Sequence, residues 1–226
     1  MPSAPPGPLI ASGRDADVFD LGDGRVLRRY RKDYDTATEA ATMRHVASHG
    51  YPVPTVHDAD GPDLVMDRVD GPTMLDLLGR RPWQLRRHAR TLADLQRRLG
   101  DVPIGDLGLP ARTDGPVVLT HGDLHPANVL MGTGGPVVID WTGAHLGRPG
   151  MDSAVTWALL HAADAPMSGA VARMVAAAGR GLFLRSFLAA SDRRAARAAL
   201  PHAVEARQGD LNLSDGERRR MTELLR

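Results

Sequence analysis

The sequence predicts an α+β fold in two lobes: a small antiparallel-sheet lobe carrying one helix, then a mainly helical C-terminal lobe. Three observations carry this prediction. Short alternating segments separated by Gly and Pro turns fill residues 9–69. Asp70-Gly-Pro72 then breaks the chain, and apolar residues beyond it recur at helical spacing. Within that second part, two short apolar strands, Val117–Leu119 and Val137–Ile139, flank a polar loop. A chain of 226 residues with 42% hydrophobic content is long enough for one sizeable domain or for two lobes sharing a cleft.

The elements follow in order. Residues 1–8 are Pro-rich and are expected to be disordered. Leu9 to Leu21 reads as two strands around the polar turn Ser12 to Asp17, and Gly22-Asp-Gly24 is a hairpin signal leading to a third strand, Arg25 to Tyr30. Thr36 to Ser48 is helical, with Ala40, Met43, Val46 and Ala47 on one face and Gly50 at its end. Thr55–Ala59 and Leu64–Val69 read as strands around an Asp60-Gly-Pro62 turn. This gives an N-lobe over 9–69 and a C-lobe over 70–226. The C-lobe opens with a short helix, Thr73–Leu78, and a long one, Trp83–Leu99, with Leu85, Leu92, Leu95 and Leu99 at helical spacing. A Gly/Pro-rich connector spans residues 100–116. From Ser153 onward the chain reads as helices, broken near Ala165-Pro166, Pro201 and Gln208-Gly209.

Charge and composition exclude several classes. A net charge of +1 provides no strong field for nucleic acid or an anionic membrane. The chain has no cysteine, which rules out disulfides, thiol catalysis and thiolate metal sites. The N-terminus lacks a basic and an apolar signal region, and Arg173, Arg180 and Arg185 interrupt the stretch Met167–Ala190. The expectation is a soluble, cytoplasmic protein with no membrane partner.

The residues with chemistry lie in His121-Gly-Asp-Leu-His-Pro-Ala-Asn128 and in Val137-Val-Ile-Asp-Trp141. Asp123 and Asn128 share a loop that follows an apolar strand and leads into Val129–Met131, and Asp140 follows another strand. Phosphoryl transfer needs a carboxylate to orient a hydroxyl and two oxygen ligands to hold Mg²⁺ against nucleotide phosphates, all on rigid supports. Asp123 fits the first role, and Asn128 and Asp140 the second. A rival reading takes His121, Asp123 and His125 as a hydrolytic metal site. It leaves Asn128 and the Ile139-Asp-Trp141 strand end without a role.

H-G-D-x-x-x-x-N followed by I-D-W resembles the aminoglycoside phosphotransferase family, which includes choline-kinase-like members and is similar to protein kinases. The resemblance implies a protein-kinase-like fold, an ATP or GTP donor with Mg²⁺, and transfer of the γ-phosphate to a hydroxyl of a small molecule. Gly13 and the turn to Val18 resemble the family's phosphate loop, although the full G-x-G-x-x-G is missing and an ordinary hairpin turn is the other reading. Arg25-Val-Leu-Arg28 aligns with the kinase V-A-I-K, with Arg28 in place of lysine. Alternation puts Val26 and Arg28 on one face, Val26 to cover adenine and Arg28 to grip phosphates with its fork. The other reading of Arg28 is an exposed strand arginine. Glu39 is the implied partner of Arg28, or else an exposed first-turn acid. Leu64 to Gly71 looks like the hinge, where main-chain groups at Met66, Asp67 and Val69 would meet the base, with Leu130 and Ile139 beneath it or simply in the core. His121 is implied to brace the loop, and Asp152, in Gly147-Arg-Pro-Gly-Met-Asp152, to do the same.

From residue 141 onward there are eight Asp/Glu and twelve Arg, an environment poorly suited to a polycation. The expected acceptor is a small hydroxyl compound that is not strongly polycationic. The reduced Gly loop and Arg28 support an alternative, a catalytically weak or inactive nucleotide-binding regulator on a kinase fold.

Overall fold

The computed structural model describes residues 7–13, 15–32, 34–163, 170–210 and 213–226. The expected break at Ala165-Pro166 and most of the expected disordered N-terminus lie outside these residues.

The first part is a five-stranded antiparallel sheet in the order β1-β2-β3-β5-β4, made of β1 (Leu9–Ser12), β2 (Ala16–Asp20), β3 (Arg25–Tyr30), β4 (Val56–Asp60) and β5 (Asp63–Asp67). The hairpin from β2 to β3 turns at Gly22 and Gly24, both at φ +80°, a conformation open to glycine at no steric cost. The register sets Val18 opposite Arg28 and Val26 opposite Met66. Period-2 alternation therefore puts the cleft-facing residues of three strands side by side.

Helix α1 (Ala37–Ser48) packs on this sheet through Ala40, Met43 and Val46. Ala47, expected on the same face, is exposed instead. The buried stripe runs through Glu39 and Thr42, because two polar side chains there have partners. Thr36 ahead of the helix donates to the carbonyl oxygens of Gly61 (3.0 Å) and Asp63 (3.2 Å), which pins the helix start to the β4–β5 turn.

After Gly71 the chain turns into α2 (Met74–Arg80), capped by a Thr73–Asp76 box. A Cβ on Gly71 would sit 2.4 Å from the carbonyl oxygen of Met131, so this junction approaches the second part backbone to backbone. Helix α3 (Leu85–Gly100) buries Leu85, Leu92, Leu95 and Leu99. With α5 (Ala170–Ala190), whose Phe183 and Phe187 are buried, it forms the larger core cluster. Two small antiparallel ladders carry the polar loop: β6 (Val118–Thr120) with β9 (His145–Gly147), and β7 (Val129–Gly132) with β8 (Gly135–Val138). Strand β9 has no counterpart in the sequence reading, since three residues after a turn offer no alternation to detect.

A second core joins α4 (Met151–Ala162), α6 (Arg193–Gln208) and α7 (Asp215–Glu223). Here the expected break at Pro201 is corrected: α6 runs through it. Pro201 lies on the exposed side while Ala199, Leu200, Ala203 and Val204 are buried, and their packing outweighs the lost backbone hydrogen bond. The break comes earlier, at Ser191-Asp192, where the Asp192 carboxylate accepts from the Ala195 N–H at 2.9 Å. Among the described residues, no helix is long and apolar enough to cross a membrane.

Candidate active site

A cleft of about 960 Å³ opens between the five-stranded sheet and the β7–β8 ladder. Thirteen residues carry a catalytic, metal or nucleotide role in the sequence reading, and eleven of them line it: Gly13, Val18, Val26, Arg28, Met66, Asp67, Val69, Asp123, Leu130, Ile139 and Asp140. Glu39 stands one layer behind, against Arg28, and Asn128 stands beside Asp123. Residues not foreseen also line the cleft, including Tyr34, Pro54 and Thr142, and Tyr30 lines it from the strand face that alternation gives to Val26 and Arg28. Lys32 is exposed and also lines it.

Arg28 is the electrostatic centre of the sheet side. Its guanidinium donates to Asp140 Oδ1 at 2.6 Å and to Glu39 Oε1 at 3.4 Å, and lies 4.9 Å from the ring centre of Tyr30. The exposed-arginine and exposed-acid alternatives are both set aside, because the Arg28 side chain is 13% exposed and that of Glu39 1%. Burial alone would lower the Arg28 pKa, but Asp140 and Glu39 overcome it and drive the pKa upward. Burial pushes the Glu39 carboxyl above its ordinary range, opposed by Arg28 and by the Tyr30 hydroxyl, which donates to it at 2.7 Å. Alternation accounts for this cluster: Val26, Arg28 and Tyr30 share a strand face, and Glu39 is in the first turn of the helix covering it.

The polar loop is fixed from behind. His121 is fully buried, and burial holds its ring below its usual pKa. Its Nε2 lies 3.1 Å from the Ile139 carbonyl oxygen, and its Nδ1 accepts from the Asp123 N–H at 3.3 Å. The ring also packs 4.8 Å from Trp141. Both ring nitrogens are thus engaged inside the protein, which makes His121 a brace and leaves the hydrolytic-metal reading short of a ligand. Asp152, at the start of α4, accepts from the backbone N–H groups of His121 (2.9 Å) and Gly122 (2.8 Å). Gly122 sits at φ +82°, and a Cβ there would lie 2.4 Å from the Gly143 carbonyl oxygen.

Asp123 is held on both carboxylate oxygens. Oδ1 pairs with the Arg207 guanidinium, while Oδ2 faces Asn128 Nδ2 at 3.3 Å and His125 Nε2 at 3.5 Å. Burial raises its pKa, but His125 and Arg207 outweigh burial and bring it down to about 2. Asn128 also donates to the Asp123 carbonyl oxygen at 2.9 Å, and its own carbonyl accepts from the Ile139 N–H at 3.1 Å. That link ties Asn128 to the strand end bearing Asp140. Among the described residues Asp140 alone combines a side chain with a positive φ, 68°, a sparsely populated conformation of the kind that gathers at functional sites.

No group of three or more His, Cys, Asp or Glu among the described residues forms a ready-made ion site. Asn128 and Asp140 nevertheless fit Mg²⁺. Oδ1 of Asp140 takes Arg28 and the Thr142 hydroxyl (3.1 Å), which leaves its Oδ2 and the Asn128 Oδ1 as hard oxygen donors. Mg²⁺ commonly takes one or two such protein oxygens and completes its shell with phosphates and water. Arg207 and Asp210 were not anticipated. Arg207 lies 84 positions from Asp123 in an arginine-rich segment, where spacing carries no sign of the contact.

Comparison with known proteins gives a consistent result. The model of the family described as "Phosphotransferase enzyme family" (APH) matches residues 7–115 and 106–190. A thermostable mutant of aminoglycoside phosphotransferase APH(4)-Ia in apo form superposes with a TM-score of 0.66 at 18% identity, over 96% of this chain and 92% of that one. A choline/ethanolamine kinase family protein from Mesorhizobium loti gives 0.59 at 18% identity, over 100% and 91%. The gentamicin complex of APH(2")-IIa gives 0.65 at 16%, over 88% and 80%. These structures share the two-lobed protein-kinase-like α+β fold. None of the curated proteins searched matches the sequence.

Proposed function

The chain belongs to the phosphotransferase enzyme family, and from that premise we propose that it moves the γ-phosphate of ATP or GTP to a hydroxyl of a small molecule, with Mg²⁺. The observation that carries the reading is the convergence of Asp123, Asn128, Asp140 and Arg28 on one cleft edge, from three separate segments. Residues 9–69 form the lobe that takes the nucleotide, and residues 70–226 supply the catalytic loop and the acceptor site. Val18, Val26, Met66, Leu130 and Ile139 give an apolar slot for the base, and the main chain at Asp67 and Val69 offers its hydrogen bonds. Gly13 lies under the phosphates. Related folds support the nucleotide: an APH(4)-Ia mutant was solved with AMP-PNP and hygromycin B.

In this mechanism Arg28, held by Glu39, leaves Asp140 to grip the phosphates. Asn128 and Asp140 would hold Mg²⁺, which would supply charge neutralisation on the transferring group. Asp123 Oδ2 accepts the hydrogen bond of the acceptor hydroxyl and directs its oxygen at the γ-phosphorus. As the new P–O bond forms and the bond to the leaving nucleoside diphosphate breaks, the hydroxyl proton passes to Asp123. A carboxylate with a pKa near 2 acts mainly by orientation and accepts the proton late.

The acceptor is neutral or anionic, a reading supported by the twelve Arg against eight Asp/Glu after residue 140. The test is a nucleotide-consumption screen with Mg²⁺ against sugars, amino alcohols, nucleosides and aminoglycosides. Turnover with a neutral or acidic hydroxyl compound is the expected result. A preference for an aminoglycoside overturns the acceptor class. Nucleotide binding without turnover across the panel favours the regulator. Asp123→Ala is expected to bind nucleotide as the wild type does and to lose roughly 100- to 10,000-fold in turnover.

A further inference from the structure

We propose that Arg207, in the last turn of α6, is a positioning residue for Asp123, and that it makes phosphate transfer depend on the C-terminal helices. The inference rests on the phosphotransferase reading above and adds a residue that lies outside its motifs.

The geometry is that of a clamp. Arg207 Nη2 donates to the Gly122 carbonyl oxygen at 2.9 Å and also to Asp123 Oδ1, while Nη1 donates to Asp210 Oδ2 at 2.9 Å. The side chain is 14% exposed. Gly122 is gripped twice: Asp152 takes its N–H and Arg207 takes its carbonyl oxygen. These two side chains come from the start of α4 and the end of α6, which pack together through Ala154, Val155 and Ala158 against Ala199, Ala203 and Val204. The loop bearing Asp123 is therefore fixed by two residues on one rigid helix pair.

The second consequence concerns the carboxylate itself. With Oδ1 committed to Arg207, rotation of the carboxylate is blocked and Oδ2 is the oxygen presented with Asn128 and His125. The charged and titratable groups facing Asp123 are His121 and His125 from its own loop, Arg207 from α6 and, through Arg207, Asp210. An arginine is required because a planar fork can serve a carbonyl and two carboxylates at once, whereas an ammonium on a flexible stem acts as a point charge. A misplacement of about 1 Å at such a group is worth roughly 100-fold in rate.

The experiment compares wild type, Arg207→Ala and Arg207→Lys. Turnover is measured with the acceptor found in the screen. Arg207→Ala is expected to lower kcat by roughly 100-fold with the nucleotide KM unchanged, a split that the loss of a merely structural salt bridge would not produce. Arg207→Lys recovers part of that loss. Wild-type kcat in Arg207→Ala, or a fall in kcat matched by an equal rise in the nucleotide KM, overturns the proposal. Should the alanine variant fail to fold, the lysine variant decides: a folded protein with wild-type kcat overturns it. A wild type that transfers no phosphate sinks the function reading and this proposal together. A wild type that transfers phosphate beside unaffected variants sinks only the proposal.

Discussion

At the scale of single residues, backbone conformation limits what the loop can contain. Gly122 has a positive φ and faces the Gly143 carbonyl oxygen where a Cβ would go. Gly122→Ala must shift backbone against backbone. It is expected to cost about 1–3 kcal/mol of stability and to reduce turnover further by moving Asp123, as read from denaturant midpoints and rates. Asp123 also predicts an acid dependence. Its folded pKa of about 2 lies below an unfolded value near 3.9. The group therefore contributes stability that is fully present above about pH 4 and lost as pH falls toward 2. Asp123→Asn should flatten that part of the stability–pH curve. Curves that stay parallel would show that Asp123 is not held as described. At this scale the motif residues were legible because their types and spacing are confined to short segments. Arg207 was not: its contact joins residues far apart in sequence, and nothing local separates it from its neighbours Arg193, Arg194 and Arg197.

At the scale of elements, periodicity performed well where packing has one clear face. The α3 leucines and the β2–β3–β5 strands are legible in helical spacing, alternation and turn residues, and each is buried or registered as that pattern requires. Two elements escaped, for opposite reasons. Strand β9 is too short for any pattern. Helix α6 carries a proline that local rules treat as a stop, yet the apolar face shared with α4 keeps it helical. The retained proline has a measurable cost. Pro201→Ala restores a backbone donor on an exposed face and is expected to raise stability by roughly 1–3 kcal/mol, visible as a higher midpoint in thermal or denaturant unfolding. A neutral or destabilising outcome would mean that the proline shapes α6 for packing.

At the scale of the whole molecule, the cleft is where independent parts meet. The sheet brings Arg28, α1 brings Glu39, the two small ladders bring Asp123, Asn128 and Asp140, and the α4–α6 pair fixes the loop from behind. The sequence announces the two-lobed arrangement by its change from strand to helix patterning at Asp70-Gly-Pro72. On the acceptor it speaks only through charge, the excess of Arg over Asp/Glu after residue 140, because arginines along these helices look alike in sequence. Phosphate transfer directed by Asp123, as proposed, is what joins these parts. It is tested most directly by incubating wild type and Asp123→Asn with γ-labelled nucleotide, Mg²⁺ and a panel of hydroxyl compounds, then following the label. Labelled phosphate is expected on a small-molecule hydroxyl with wild type and is lost in the variant, with nucleotide still bound. Equal label transfer by the two proteins, or bound nucleotide with no transfer by either, would contradict it.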